Sequence, residues 1–245
     1  MSYNDLDNFE QELFKRLFNY YGNDIELDKI NLFENEKYNE DNRIQLYQTP
    51  FNSIIYAASP IYKNLKEKIT KRDLSNKISL EELKGIIDYK EFADEDSTIC
   101  LYLNPKQHSE VKPPPGFKVQ KLQKQHKQAF EDFKAVCSTA DLSEGQISFE
   151  DPLVVGCFDQ NKVIGTASYW FWGQGLADIG IVVHPSYRKL GVARALLSKL
   201  AGLGIELNRI NLYRYNENNK ASQNLARSLN FQHMMVIKPT RVLEI

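Results

Sequence analysis

Residues 177–201 read ADIGIVVHPSYRKLGVARALLSKLA, and the order of residue types in this stretch decides the fold. Ile179, Ile181, Val182 and Val183 make an apolar, β-branched run free of lysine and arginine, the composition of a buried strand. His184-Pro185 closes it, because proline donates nothing to a sheet ladder and holds the residue before it extended. After a turn over 186–190, Val192, Leu196, Leu197 and Leu200 recur at helical spacing with Arg194 and Lys199 among them. That pattern predicts an amphipathic helix lying on a sheet. Gly191 falls at the helix start, where the first N–H groups have no partner within the helix and the dipole is positive. A glycine there lets backbone approach a ligand with no side chain between them, so the loop suits a diphosphate, to which Arg188 adds a positive charge. A tight strand-to-helix connection that binds nothing would share part of this pattern.

At 245 residues, 42% hydrophobic and 26% charged, the chain is long enough for one large or two modest domains with cores of their own. Its longest apolar stretches are strand-length and its first residues are polar and acidic, which predicts no membrane span or secretory signal and a cytoplasmic location. Cys100, Cys137 and Cys157 are widely spaced, odd in number and set in apolar surroundings, as reduced packing residues are. His108, His126, His184 and His233 fall into no ligand spacing with the cysteines or each other, so no metal is expected. The net charge of -1 conceals a division: residues 1–112 carry 15 Lys and Arg against 21 Asp and Glu, and residues 113–245 carry 16 against 11. The basic half holds the loop and would attract a polyanion, but its charges are too few and scattered for nucleic acid.

Along the chain, Leu6, Phe9, Leu13, Phe14, Leu17 and Phe18 predict a helix over 6–21 ending before Gly22. The acidic, Asn-rich stretch 23–42 offers at most a turn of helix. Strands are expected over 43–47, 53–58 and 98–103, and helices over 61–69 and 79–88, the second opened by the Ser79/Glu82 capping box. Residues 104–116, NPKQHSEVKPPPG, read as a stiff connector, which divides the chain into an N-terminal α/β domain over 1–112 and a second domain over 116–245. In the second, a strand over 117–122 and a helix over 125–137 precede three strands over 153–158, 163–172 and 176–183. Their links are so short that they must be antiparallel. The strand 210–215, the helix 219–229 and a closing pair of strands over 231–237 and 241–245 complete it.

Val183-x-Pro185-x-Tyr187-Arg188-x-x-Gly191-x-Ala193, between such a strand and such a helix, resembles the central motif of the GNAT superfamily of acetyl-CoA-dependent N-acyltransferases. A second match is NKASQNLARSLNF over 219–231, where Asn219, Ser222, Leu225, Leu229 and Phe231 fit the family pattern. The resemblance covers the chain from Gly116 onward. It implies an α/β fold with a mixed, mostly antiparallel sheet flanked by helices, and transfer of an acetyl group from acetyl-CoA to a primary amine. It also implies diphosphate binding by the loop Arg188, Lys189, Leu190, Gly191, Val192 and Ala193. Pantetheine would bond the backbones of Ile181 and Val183 in a slot between two splayed strands, 176–183 and 210–215, and Asn219 and Ser222 would flank its arm.

For a base, Asp178 stands in an apolar run where an unpaired carboxylate is costly and its pKa shifted; a strand Asp satisfied by backbone or turn donors is the other outcome. His184 lies at a turn beside the loop. The family tyrosine that protonates the leaving thiolate is replaced by Ala226, and the glycine before Phe231 by Asn230, the non-glycine residue best suited to a left-handed helix end. Tyr213 and Tyr215 share one strand face and are candidates for the missing acid. Asp141 and Glu144, in a loop ahead of the three strands, are candidates to meet the amine. Catalysis asks little of side chains: a deprotonated amine attacks the thioester, a backbone N–H holds the oxyanion, and the thiolate leaves. A binding module that keeps the slot without the chemistry is the alternative function. Residues 1–112 would either wall the acceptor site with carboxylates that select a cationic amine, or support folding, or pair two subunits as a homodimer.

Overall fold

In the computed structural model, residues 2–22, 24–72, 74–87 and 89–244 are described. The expected helix end at Asp88, the expected strand end at Ile245 and the start of the acidic stretch at Asn23 lie outside them. Asp7 caps helix α1 (Asn8–Tyr21) through a capping box with Glu10, and Gly22 closes it at φ 69°. The acidic stretch contains a strand, β1 (Asn31–Glu34), where the residue pattern offers at most a helical turn. It runs parallel to β3 (Ser53–Ala57), from Asn31 beside Ile54 to Glu34 beside Ala57. The cause is tertiary: the Phe33 ring packs on Tyr56, centroids 5.4 Å apart, and four polar-flanked residues have no strand signal until that neighbour is present.

Strand β2 (Arg43–Gln48) pairs antiparallel with β3 and turns Ile44 and Leu46 to one face and Gln45 and Tyr47 to the other. Against the first face pack α2 (Ser59–Ile69) and α3 (Leu80–Ile86), with Ile44, Leu46, Ile55, Ile61, Leu65 and Leu83 in one core. The other face is aromatic: Tyr21 meets Tyr47 at 5.5 Å, Tyr47 meets Tyr56 at 5.6 Å, and Phe14 meets Phe51 edge-on at 4.8 Å. Two short strands follow, β4 (Phe92–Asp94) and β5 (Thr98–Leu103).

The remaining chain supplies β6 (Phe117–Lys121), α4 (Lys127–Ala135), α5 (Thr139–Gly145), β7 (Val154–Asp159), β8 (Lys162–Trp172), β9 (Leu176–Val183), α6 (Val192–Glu206), β10 (Ile210–Asn216) and α7 (Lys220–Ser228). Strands β6 to β9 form a continuous antiparallel run, and β10 adds to β9 in parallel after the α6 crossover. This is the mixed, mostly antiparallel sheet flanked by helices that the family resemblance implies. Helix α6 covers one face, where a Cβ on Gly165 would come within 3.2 Å of both Val183 and Val192. The Tyr169 hydroxyl reaches across to Leu200 O at 2.8 Å and to Asn211. Phe130 of α4 packs with Phe133, Val154 and Val182 on the opposite face. Asp141 and Glu144 prove to lie on a helix, α5, because Ser138 caps it by accepting from Asp141 N–H.

At the end of the chain, β11 (Gln232–Val242) is one strand of 11 residues in place of the expected pair. Lys238-Pro239-Thr240 reads as a turn, yet the strand passes through it: Pro239 pairs with Gln45, and its carbonyl accepts from Glu95 N–H at 3.2 Å. Strand β11 lies antiparallel to β2 from Val236 beside Gln48 to Arg241 beside Arg43, and antiparallel to β4 from Thr240 to Val242. The compact units therefore do not follow the halves 1–112 and 116–245. One holds Met1–Cys100, Tyr215–Asn219 and His233–Ile245; the other holds Leu101–Arg214 and Lys220–Gln232. The proline-rich stretch belongs wholly to the second, fastened to α6: Ser198 Oγ donates to Ser109 O and accepts from Val111 N–H, both at 2.9 Å, and His108 Nε2 meets Ser198 O at 3.0 Å.

Candidate active site

The parallel ladder between β9 and β10 is short. It runs from Leu176 beside Ile210 to Ile179 beside Tyr213 and stops, although β9 continues to Val183 and β10 to Asn216. Beyond Ile179, Gly180 to Val183 pair only with β8, so one edge of their backbone is left to bond something other than β10. Ile181 and Val183 lie in this open stretch. Its other boundary is α5. A Cβ on Gly180 would collide with Gly145 O and lie 3.0 Å from Gln146 O, and one on Gly145 would lie 2.7 Å from Ile181 O. Two glycines thus let the end of α5 rest directly on the strand; a glycine inside an otherwise apolar strand is the sequence signal of such an approach.

The loop after β9 is held at several points. His184 Nδ1 accepts from Ser186 N–H at 3.2 Å, capping a 3-10 turn over Pro185–Tyr187, so this histidine has a structural task. The Tyr187 hydroxyl donates to Asp159 at 3.0 Å, and its ring meets Phe117 and His184. Lys189 and Gly191 both adopt left-handed backbone, φ 62° and 85°. Gly191 is the N-cap of α6 with no side chain capping it, and the first bond of the helix is Ala195 N–H to Gly191 O, 3.1 Å. The N–H groups of Val192, Ala193 and Arg194 precede that bond. A Cβ at Gly191 would meet only Pro114, at 3.4 Å, so the cradle is open apart from the proline stretch along its rim. Arg188 is already engaged: Nη2 lies 2.6 Å from Asp141 Oδ1, and Nε donates to Val183 O at 3.2 Å. Ser138 and Arg188 together hold the Asp141 carboxyl below the usual carboxylate range.

Asp178 is buried, 6% exposed, and its Oδ2 takes two donors from Arg214, Nε at 2.7 Å and Nη2 at 2.6 Å. Its Oδ1 is buried without a hydrogen-bond partner. Burial raises the carboxyl pKa, and Arg214 opposes the rise without cancelling it. Arg214 in turn lies over the Trp172 ring, 4.9 Å from its centroid. Register places Asp178 beside Trp170, which is 59% exposed, and beside Leu212. Tyr213, in register with Ile179, faces the opposite side of the sheet and packs on Phe231, 5.8 Å between ring centroids. Tyr215 alternates to the same side as Tyr213. The structure therefore does not bring Asp178 together with the two tyrosines on one face.

Asn219 directly precedes α7, with Ser222 in its first turn. Ala226 of α7 is fully buried. Asn230 takes the left-handed conformation expected of it, φ 60°, and Phe231 N–H bonds back to Ala226 O at 3.1 Å to end the helix.

A strand with an open edge, running into a helix whose first N–H groups face a glycine cradle, is built to hold an extended ligand with an anionic end. Residues 119–231 match the model of the Acetyltransferase (GNAT) family. This part of the chain is a GNAT acetyltransferase domain. Among solved structures, a GCN5-related N-acetyltransferase from Kribbella flavida superposes with a TM-score of 0.52 at 13% identity, covering 69% of this chain and 66% of that one. A GNAT-family acetyltransferase from Colwellia psychrerythraea gives 0.52 at 13% identity, covering 77% and 76%. At such identity these likenesses establish the fold. No curated protein matches the sequence. The GNAT family in general uses acetyl-CoA and amine acceptors. Among the described residues no helix is long and apolar enough to cross a membrane, and no three His, Cys, Asp or Glu side chains cluster to hold a metal.

Three features of the GNAT domain escape the sequence. Arg214 is separated from Asp178 by 36 residues, and only the β9–β10 register makes them neighbours. Pro114 reaches the Gly191 cradle through the fold of its whole segment. The Arg188–Asp141 pair depends on α5, which has few apolar residues to announce it.

Proposed function

We propose that this protein transfers the acetyl group of acetyl-CoA to a primary amine by direct attack. The observation that carries this is the parting of β9 and β10 after Ile179, one strand-length before the open N-terminus of α6. Acetyl-CoA would supply the acyl group as an activated thioester. The N–H groups of Val192 and Ala193 and the backbone of Lys189, Leu190 and Gly191 would hold its diphosphate, Ile181 and Val183 would bond the pantetheine, and Asn219 and Ser222 would flank it. The open cradle at Gly191 fits that role.

Asp178 takes the proton of the incoming amine, because its carboxylate stands one residue before the point of parting. Tyr213 or Tyr215, on the other side of the sheet, gives a proton to the leaving sulfur. Release of free thiol from acetyl-CoA, measured against polyamines, aminoglycosides, amino acids and a lysine peptide, tests the proposal. A rate above hydrolysis for any class supports it, and none for every class refutes it. Asp178→Asn should lower the best rate by about 10²-fold, with acetyl-CoA affinity unchanged in calorimetry.

A second function, an acyl-CoA-binding module without transfer, is favoured by one observation. Ala226 is fully buried and the helix Lys220–Ser228 holds no tyrosine, so no phenol stands on α7. Acetyl-CoA binding without thiol release would select it. In either case Arg188→Ala should weaken acetyl-CoA by less than about tenfold in calorimetry, because a half-exposed guanidinium already paired with Asp141 has little more to give an anion.

A further inference from the structure

Arg214 has no place in the chemistry above, yet it makes the closest contact to the proposed base. We infer that Arg214 is a positioning residue that fixes the Asp178 carboxylate at the point where β9 and β10 part. The inference rests on the assignment of Asp178 as base. Three observations carry it. Both Nε and Nη2 converge on Oδ2, at 2.7 and 2.6 Å, so the guanidinium edge grips the carboxylate at two points. The guanidinium itself lies over Trp172, 4.9 Å from the ring centroid, which fixes the plane in which it offers its donors. Register sets Asp178 beside Leu212 at the last rungs before β9 and β10 part, and Arg214 follows one residue after the parting, so the pair spans the point where the slot opens.

The surroundings leave Arg214 as the charge that governs this carboxylate. Strand β8 presents no charged side chain from Gly165 to Trp172, and Trp170 is its neighbour in register. Over the same face, α5 carries Asp141, engaged by Arg188, and Glu144. Burial holds the Asp178 carboxyl above its ordinary range while Arg214 pulls it down.

The test is a carbon-13 titration of the aspartate carboxyls in the full-length protein without acceptor, with the Asp178 signal assigned by its loss in Asp178→Asn. In Arg214→Gln the signal should titrate higher by one unit or more, within the roughly 1–3 units an adjacent opposite charge commands. The acid limb of thiol release, measured with the panel amine that reacts fastest, should move up with it. Arg214→Lys keeps the charge but offers one donor point in place of two, so it should titrate close to the parent and turn over more slowly, with acetyl-CoA affinity unchanged. An unmoved titration in Arg214→Gln overturns the inference. If that variant does not fold, a parental rate in Arg214→Lys overturns it. A pH profile unchanged in Asp178→Asn instead refutes the base assignment, whatever Arg214 does.

Discussion

Gly191→Asp should abolish detectable acetyl-CoA binding in calorimetry while the protein stays folded. Gly191 sits at φ 85°, where a side chain costs on the order of 1 kcal/mol, and the new carboxylate would stand at the helix N-terminus where the diphosphate is to lie. Loss of one or two amide contacts to a charged group, plus repulsion and strain, amounts to about 4 kcal/mol, or roughly 10³-fold in affinity. The fold should tolerate it, since a Cβ meets only Pro114, at 3.4 Å. Gly191→Ala separates the causes: it carries the strain without the charge and should lose only about tenfold. Binding by Gly191→Asp equal to the parent would show that the loop does not hold the cofactor.

A fragment beginning at Gly116 should fail to remain soluble, although it contains every residue assigned to the GNAT domain. Strand β11 pairs with β2 on one edge and with β4 on the other, and both partners precede Gly116. Their removal strips six paired positions from Val236 to Arg241 and three from Thr240 to Val242, and it bares Val242, buried in the core with Ile44, Leu46 and Ile55. A long apolar strand with open edges aggregates. At about 1 kcal/mol net for each lost backbone bond, the loss rivals the whole stability of a domain. Sedimentation of the purified fragment beside the full chain checks this; a monomeric, cooperatively melting fragment would show that β11 needs neither partner.

How much of this was legible depends on the range of the interactions concerned. Strand β9 ends at Val183 as the proline after it demands, α6 begins behind Gly191, Ser79 and Glu82 cap α3, and Asn230 turns the end of α7. Each is a matter of sterics or hydrogen bonding within a few residues, which the chain carries wherever it goes. The loop between β9 and α6 belongs with them, because its backbone conformation is set between two local elements.

What tertiary structure alone decided is whatever rests on partners distant in the chain. Residues 31–34 become a strand only beside β3, and 238–240 cease to be a turn because β2 and β4 hold Pro239 extended between them. Asp178 and Arg214 meet only through the β9–β10 register, and Asp141 and Arg188 only because two glycines let α5 settle on β9. Local propensities fix the backbone conformation of a segment to within about a kilocalorie per residue, and that margin is smaller than the burial and pairing a distant segment can offer. The sequence by itself determined the GNAT core and the loop ahead of α6; the contact of Asp178 with Arg214, and the fastening of the last strand to the first hundred residues, exist only in the folded chain.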